Sequence, residues 1–177
     1  MQYAKDSFYM ALRERLAALN PQRTVTLNGA VRPAVIAAEN EMVIPVVPLP
    51  DAFYLEWGGA QVAARQSGSR ELMEMECVIS YHTFGTVESG VDRGRTLGEL
   101  DTELLSICQP QHTAKQDFTQ SPSADLGSNI FWAAPVMGKV TGSQGPKAEG
   151  LPRGNETVRL ERSAMVRVFF FPEVNFL

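Results

Sequence analysis

The chain has 177 residues, of which 44% are hydrophobic and 20% are charged, and its formal net charge is −4 at pH 7. This balance is typical of a globular protein and argues against a disordered or fibrous chain, while the length favours a single domain over residues 1–177. A net negative charge gives no long-range attraction to nucleic acid or anionic lipid, and the apolar runs are too short to span a bilayer.

The two cysteines and the N-terminal residues bear on the compartment in which the chain is made. Cys77 falls in a predicted strand and Cys108 at the end of a predicted helix, which favours two buried free thiols in a reducing compartment. Residues 1–6 lack the apolar segment of a signal peptide. We therefore expect synthesis in the cytoplasm.

The first elements along the chain are a helix and a hairpin. Apolar residues recur at three- and four-residue spacings over residues 6–20, which predicts an amphipathic helix capped by Asp6 or Ser7. Residues 24–38 are rich in β-branched side chains and contain Asn28-Gly29, a strong signal for a tight hairpin turn. We predict a strand pair around this turn.

Two alternating segments predict the next strands. Residues 52–57 alternate as a half-buried strand does, and Gly58-Gly59 is expected to end it. The clearest alternation runs from Glu71 to His82. One face of this strand is predicted to be core and comprises Met73, Met75, Cys77, Ile79 and Tyr81. The other face is predicted to be wet or interfacial.

A second helix is predicted from Leu97 to Cys108. Thr96 with Glu99 three residues later has the pattern of a capping box, and the apolar residues that follow form one stripe. The preceding residues 92–95 are predicted to form a charged turn. In that turn Arg93 and Arg95 are candidates for a protein interface, because exposed guanidinium groups bind carboxylates well.

The rest of the chain is predicted as two long surface loops and two strands. The loops cover about residues 109–128 and 142–155, and the strands cover residues 129–140 and 157–171. In the last strand, Ala164 to Phe171 are apolar on both faces except for Arg167, which suggests a strand that is either central or covered by a neighbouring subunit. Together the elements predict an α+β fold with a mixed, mainly antiparallel twisted sheet, an N-terminal helix and a second helix packed on it.

The sequence contains no recognisable catalytic, phosphate-binding or metal-binding motif, so we expect no cofactor and no catalytic centre. Two histidines, His82 and His112, are too few for a three-ligand zinc site. A small hydrolase that uses His82 or His112 with a carboxylate remains a rival interpretation. A monomeric ligand-binding or peptide-binding module is another.

The order of elements resembles that of bacteriophage tail terminator proteins, also called tail completion proteins. The resemblance extends over about residues 7–172 and is carried by Phe8 to Leu16, by Gly94 to Asp101 and by Val166 to Pro172. It implies a ring, typically of six copies, that caps the tail tube, stops its polymerisation and docks the head or neck. The implied place is the head-proximal end of a virion tail.

This resemblance also implies the partners of the chain. These are its own copies, the tail tube protein, possibly a sheath, and a neck or connector protein. Another neck or head-tail joining protein is the alternative within the same class. Interface candidates beyond Arg93 and Arg95 lie in the second loop and near the C-terminus: Lys147, Glu149, Leu151, Arg153, Phe169, Phe171 and Phe176.

Overall fold

The computed structural model describes residues 1–41, 48–64, 71–85, 92–144 and 158–172. The first half contains α1 (Gln2–Leu19), β1 (Thr24–Leu27), β2 (Ala30–Pro33), β3 (Val35–Ala37), α2 (Ala38–Glu41), β4 (Phe53–Ala64) and β5 (Leu72–Thr83). The second half contains α3 (Asp92–Ile107), β6 (Gln111–Asp117), β7 (Ala124–Trp132), β8 (Val136–Met137), β9 (Thr141–Gln144) and β10 (Val158–Phe170). The predicted α+β class is confirmed.

One curled sheet organises the chain. Its strand order is β3-β4-β5-β10-β7-β6, and β8 and β9 also pair with β10. Every pairing in it is antiparallel except that of β3 with β4. The predicted last strand is therefore central, as its apolar residues on both faces indicated.

The core lies between one face of the sheet and the two long helices. The buried residues of the helices are spaced three and four apart: Ala4, Phe8, Leu12 and Leu16 in α1, and Leu97, Leu100, Leu104 and Ile107 in α3. Phe8 packs edge-on between the rings of Trp57 and Trp132, at centroid distances of 5.7 and 5.2 Å. The helices thus cover one face of the sheet completely.

The β1–β2 hairpin forms where the sequence predicted it. Asn28 and Gly29 have φ angles of 50° and 79° at its turn. A two-residue hairpin turn of this kind needs positive φ at both positions, which asparagine and glycine tolerate best. The register Thr24 to Pro33 follows from that turn.

Both helices begin earlier than predicted. α1 begins at Gln2, and Ser7 is buried inside it, where its Oγ donates to Tyr3 O instead of capping a terminus. α3 begins at Asp92, so residues 92–95 are its first turn and not a charged turn. Thr96 Oγ1 donates back to Asp92 O within that helix, so the predicted capping box was wrong. A carboxylate in the first turn, as at Asp92, favours the earlier start.

Three other boundaries differ from the prediction. Gly58-Gly59 does not end β4, because β5 offers pairing partners as far as Leu72 and a register shift after Trp57 accommodates the glycines. Residues 109–128 are mostly the β6–β7 hairpin and not an irregular loop. The predicted loop 142–155 begins inside β9, and its residues 145–155 lie outside the described ranges.

The sequence did not predict β6, because this strand consists mainly of polar residues. Lys115 and Asp117 are buried on it, but each is satisfied by hydrogen bonds. Lys115 Nζ donates to Phe171 O, and Asp117 accepts from Thr119 and Gln120. One distant partner, Phe171, and local hydrogen bonds to Asp117 therefore stabilise a strand that has no apolar alternation.

The two cysteines are buried and free, as predicted. Burial raises the pKa of Cys108 to about 12 and raises that of Cys77 well above its ordinary value. Both thiols therefore stay protonated near neutral pH, and a thiol in that state is a poor nucleophile. Neither cysteine is suited to catalysis.

Candidate functional site

The sheet face opposite the helices carries exposed apolar side chains, and we call this set the open face. Val166 and Val168 of β10 are fully buried in the core. Their neighbours on β10 point the other way, because side chains alternate along a strand. The open face comprises Val78, Phe131, Val136, Met165 and Phe169.

These side chains are adjacent across four strands. Met165 lies opposite Val78 of β5 on one side and opposite Val136 of β8 on the other. Phe131 and Phe169 stack with a centroid distance of 5.1 Å and an interplanar angle of 12°. Val136 is 62% exposed, and Val78 and Phe131 are each 37% exposed. The open face therefore has two apolar groups, Met165 with Val78 and Val136 and the stacked pair Phe131 and Phe169, with Arg167 between them on β10.

One arginine, Arg167, lies on the same side of the sheet as the open face, between Met165 and Phe169 on β10. The guanidinium of Arg167 lies 6.0 Å from the centroid of the Phe169 ring, and its Nη1 lies 3.7 Å from Glu74 Oε1. Aromatic residues, methionine and arginine are the residue types enriched in protein interfaces. The composition of the patch is thus that of a contact surface.

The outer edge of β4 is a second surface feature. β3 pairs with β4 only over Phe53–Leu55, and in the described ranges no other strand lies on that side of β4. Residues 57–64 are free of charge and of proline. Soluble proteins usually protect a free edge with lysine, proline or bulges, and here only two register shifts interrupt it. This edge can accept a further strand.

A polar cleft of about 360 Å³ lies beside β5 and β10. It is lined by Pro48, Tyr54, Ser80, Tyr81, His82, Lys139, Thr141, Arg159, Glu161, Arg162 and Ser163. His82 is 4% exposed and packs edge-on against Phe84. Burial lowers the pKa of His82, and the positive charge of Arg159 lowers it further. The imidazole is therefore neutral near pH 7.

The two histidines of the hydrolase interpretation lie on different strands. Ser80 and His82 both line the cleft, and in the described ranges no hydrogen bond joins them. His112 lies on the edge strand β6, opposite Phe131, and is not part of the cleft. Among the residues that the structure describes, no group of three His, Cys, Asp or Glu side chains can hold a metal ion.

A polar network anchors α3 to the sheet near the same cleft. Tyr81 donates its hydroxyl hydrogen to Asp101 Oδ1, and Arg162 Nη1 donates to Asp101 Oδ2. Burial, followed by the hydrogen bond to Asp101, raises the pKa of Tyr81. The hydroxyl therefore stays protonated, and the network links the helix to β5 and β10.

The predicted interface residues fall on two opposite sides of the sheet. Arg95 is exposed and lines an open groove between α3 and the end of α1, while Arg93 is half-buried beside Gly85. Phe169 belongs to the open face, and Phe171 lines a depression next to Phe131. Residues Lys147, Glu149, Leu151, Arg153 and Phe176 lie outside the described ranges.

No protein-family model matches this chain, and a search of curated proteins found no relative either. None of the helices in the described ranges is long and apolar enough to cross a membrane.

Sequence reasoning missed three parts of these surfaces. Val78 was not singled out on the strand face predicted to be wet or interfacial, and its register against Met165 gives it apolar neighbours that alternation alone does not reveal. Val136 lay in a predicted strand without an assigned face. The free edge of β4 could have been suspected from eight consecutive residues without charge or proline.

Proposed function

We propose that this chain is a structural subunit that assembles with its own copies into a ring, and that the ring is the terminator of a phage tail or a related tail-like particle. The open face carries this proposal. It is an exposed surface of apolar side chains around Arg167 with the composition of an interface, and the described helices cover the other side of the sheet.

The physical reason is the cost of leaving such a face in water. A sheet in a compact protein usually has both faces covered when both are apolar. The open face of one copy and the free edge of β4 offer two different contact surfaces. Two different surfaces allow head-to-tail contacts, which close into rings when the rotation between copies permits. This favours a ring of copies over a monomeric binding module.

The proposed place and partners follow the resemblance to tail terminators. The resemblance implies a ring of about six copies. This ring would cap the tail tube at the head-proximal end and bind a neck or connector protein. The subunit would be made in the host cytoplasm and would need no cofactor. A neck or head-tail joining protein is the alternative, since it would use the same self-association.

Native mass spectrometry and negative-stain imaging of the purified chain test the proposal. We expect a single closed ring at tens of micromolar, roughly the concentration at which standard-size interfaces persist. Adding the ring to polymerising tube protein should stop tube growth. A chain that stays monomeric, with and without tube protein, would contradict the proposal. A ring that leaves tube growth unchanged would favour the joining protein.

The rival hydrolase has its own test. Replacing His82 and His112 together with glutamine should leave ring formation unchanged, because self-association transfers no proton. The two single variants serve as controls for folding, which thermal denaturation monitors. Loss of function in a double variant that stays folded would support the hydrolase.

A further inference from the structure

The cleft beside β5 and β10 is rich in hydrogen-bond donors that lack an acceptor. Tyr54 is 3% exposed, and its hydroxyl oxygen accepts the N–H of Leu49. Burial raises the pKa of Tyr54, so the hydroxyl keeps its hydrogen and that hydrogen has no acceptor in the described ranges. The buried Nε of Arg162, which also lines the cleft, has no hydrogen-bond partner in the described ranges either. Buried polar groups in native proteins usually have partners.

One of the three cations that line this cleft has no carboxylate partner in the described ranges. Arg159 Nε lies 3.0 Å from the carboxylate of Glu161, which also accepts from Thr141 Oγ1 at 3.3 Å, and Arg162 is paired with Asp101. Lys139 forms no ion pair with a described carboxylate. A further negative group in the cleft could therefore pair with Lys139.

We propose that this cleft binds an oxyanion, a carboxylate or phosphate group. A volume of about 360 Å³ admits a small anion with its nearest waters. The buried hydroxyls and the imidazole supply neutral donors, and Lys139 supplies a cation at the rim. Charge-assisted hydrogen bonds of this kind are stronger than neutral ones. The oxyanion is either free in solution or part of an acidic side chain of a partner protein.

Binding of an oxyanion is linked to protonation of His82. The neutral ring offers one donor, whereas the protonated ring offers two and a positive charge. A bound anion therefore favours the protonated ring and raises the pKa of His82 from its lowered value. By reciprocity, anion binding tightens as the pH falls through that pKa. The other charged groups that act on His82 are Arg159, Asp51 and Glu161.

Histidine proton resonances provide the test, because the chain has two histidines and only one lines the cleft. The folded chain is titrated with inorganic phosphate and separately with acetate, at constant ionic strength maintained with chloride. We expect the pKa of His82 to rise by roughly one unit at saturation, while the resonance of His112 serves as the internal reference. A roughly millimolar affinity is expected for so small a ligand.

A matched pair of lysine variants tests whether the anion binds in this cleft. Lys139→Gln should weaken anion binding about fivefold, the effect of losing one half-exposed charge-assisted hydrogen bond. Lys5→Gln removes the same charge from a residue that pairs with Glu39 away from the cleft, so it should leave binding unchanged.

The outcomes separate the possible sources of the anion. A response to phosphate alone indicates a free or bound phosphate group, and a response to acetate alone indicates a carboxylate, as an acidic side chain would supply. A response to both supports a general oxyanion site. If neither anion moves His82 more than His112, the cleft is not an oxyanion site. Ring formation by the unmodified chain is measured separately, so failure here leaves the proposed function standing.

Discussion

The Val136→Lys variant is expected to weaken self-association roughly ten- to hundredfold, as loss of a well-packed interface contact does. Val136 is 62% exposed on the open face, opposite Met165 of β10. A lysine there would have to place its charge inside the contact between two copies, where it has no partner. Sedimentation across a concentration series measures the shift from ring to monomer.

Val31→Lys is the matched control for this prediction. Val31 is 70% exposed on the β1–β2 hairpin and does not belong to the open face. Both variants should keep the stability of the subunit within about 0.5 kcal/mol, because both positions are on the surface. If the two lysine variants assemble equally well, the open face is not the contact between copies.

The Phe8→Ala variant is expected to lower the free energy of unfolding by about 4 kcal/mol, near the middle of the range for a buried phenylalanine. The Phe8 side chain is fully buried and packs edge-on against two tryptophans. Truncation leaves a cavity and removes both aromatic contacts, each of which adds to the loss from burial alone. Urea denaturation measured by tryptophan fluorescence checks the value.

Leu19→Ala on the same helix is the control for Phe8→Ala. Leu19 is 50% exposed at the end of α1, so its truncation should cost less than about 0.5 kcal/mol. A Phe8→Ala variant no less stable than Leu19→Ala would mean that α1 does not pack on the sheet as described. Because folding and assembly are linked, both measurements belong at a concentration where the chain is monomeric.

The elements with local signals could be predicted from the sequence. The buried stripes of both long helices, the alternation of β5 and the Asn28-Gly29 turn each depend on residues near one another in the chain. Helix starts and strand ends were less predictable, because they depend on pairing partners elsewhere. β4 continues past two glycines only because β5 lies beside it.

The candidate site was less predictable than the fold, because its residues are brought together by pairing between strands that are distant in the chain. Phe169 was identified because apolar residues on both faces of one strand are visible in sequence. Val78 and Val136 belong to the open face through the registers of β5 and β8 with β10. The cleft joins residues as distant as Tyr54 and Arg159, and no local pattern predicts such a meeting.

The central place of β10 has a consequence for how the chain acquires its structure during synthesis. β5, β7, β8 and β9 all pair with β10, yet β10 is the last of these strands to be made. Until residues 158–170 leave the ribosome, the earlier strands lack the strand that they all pair with. Their apolar residues remain exposed during that time and can form non-native contacts. Pairings between distant segments form slowly, and unpaired strands are prone to aggregate while they wait. Chaperones that bind exposed apolar segments should therefore raise the yield of folded subunit, and slowing translation before residue 158 should lower it.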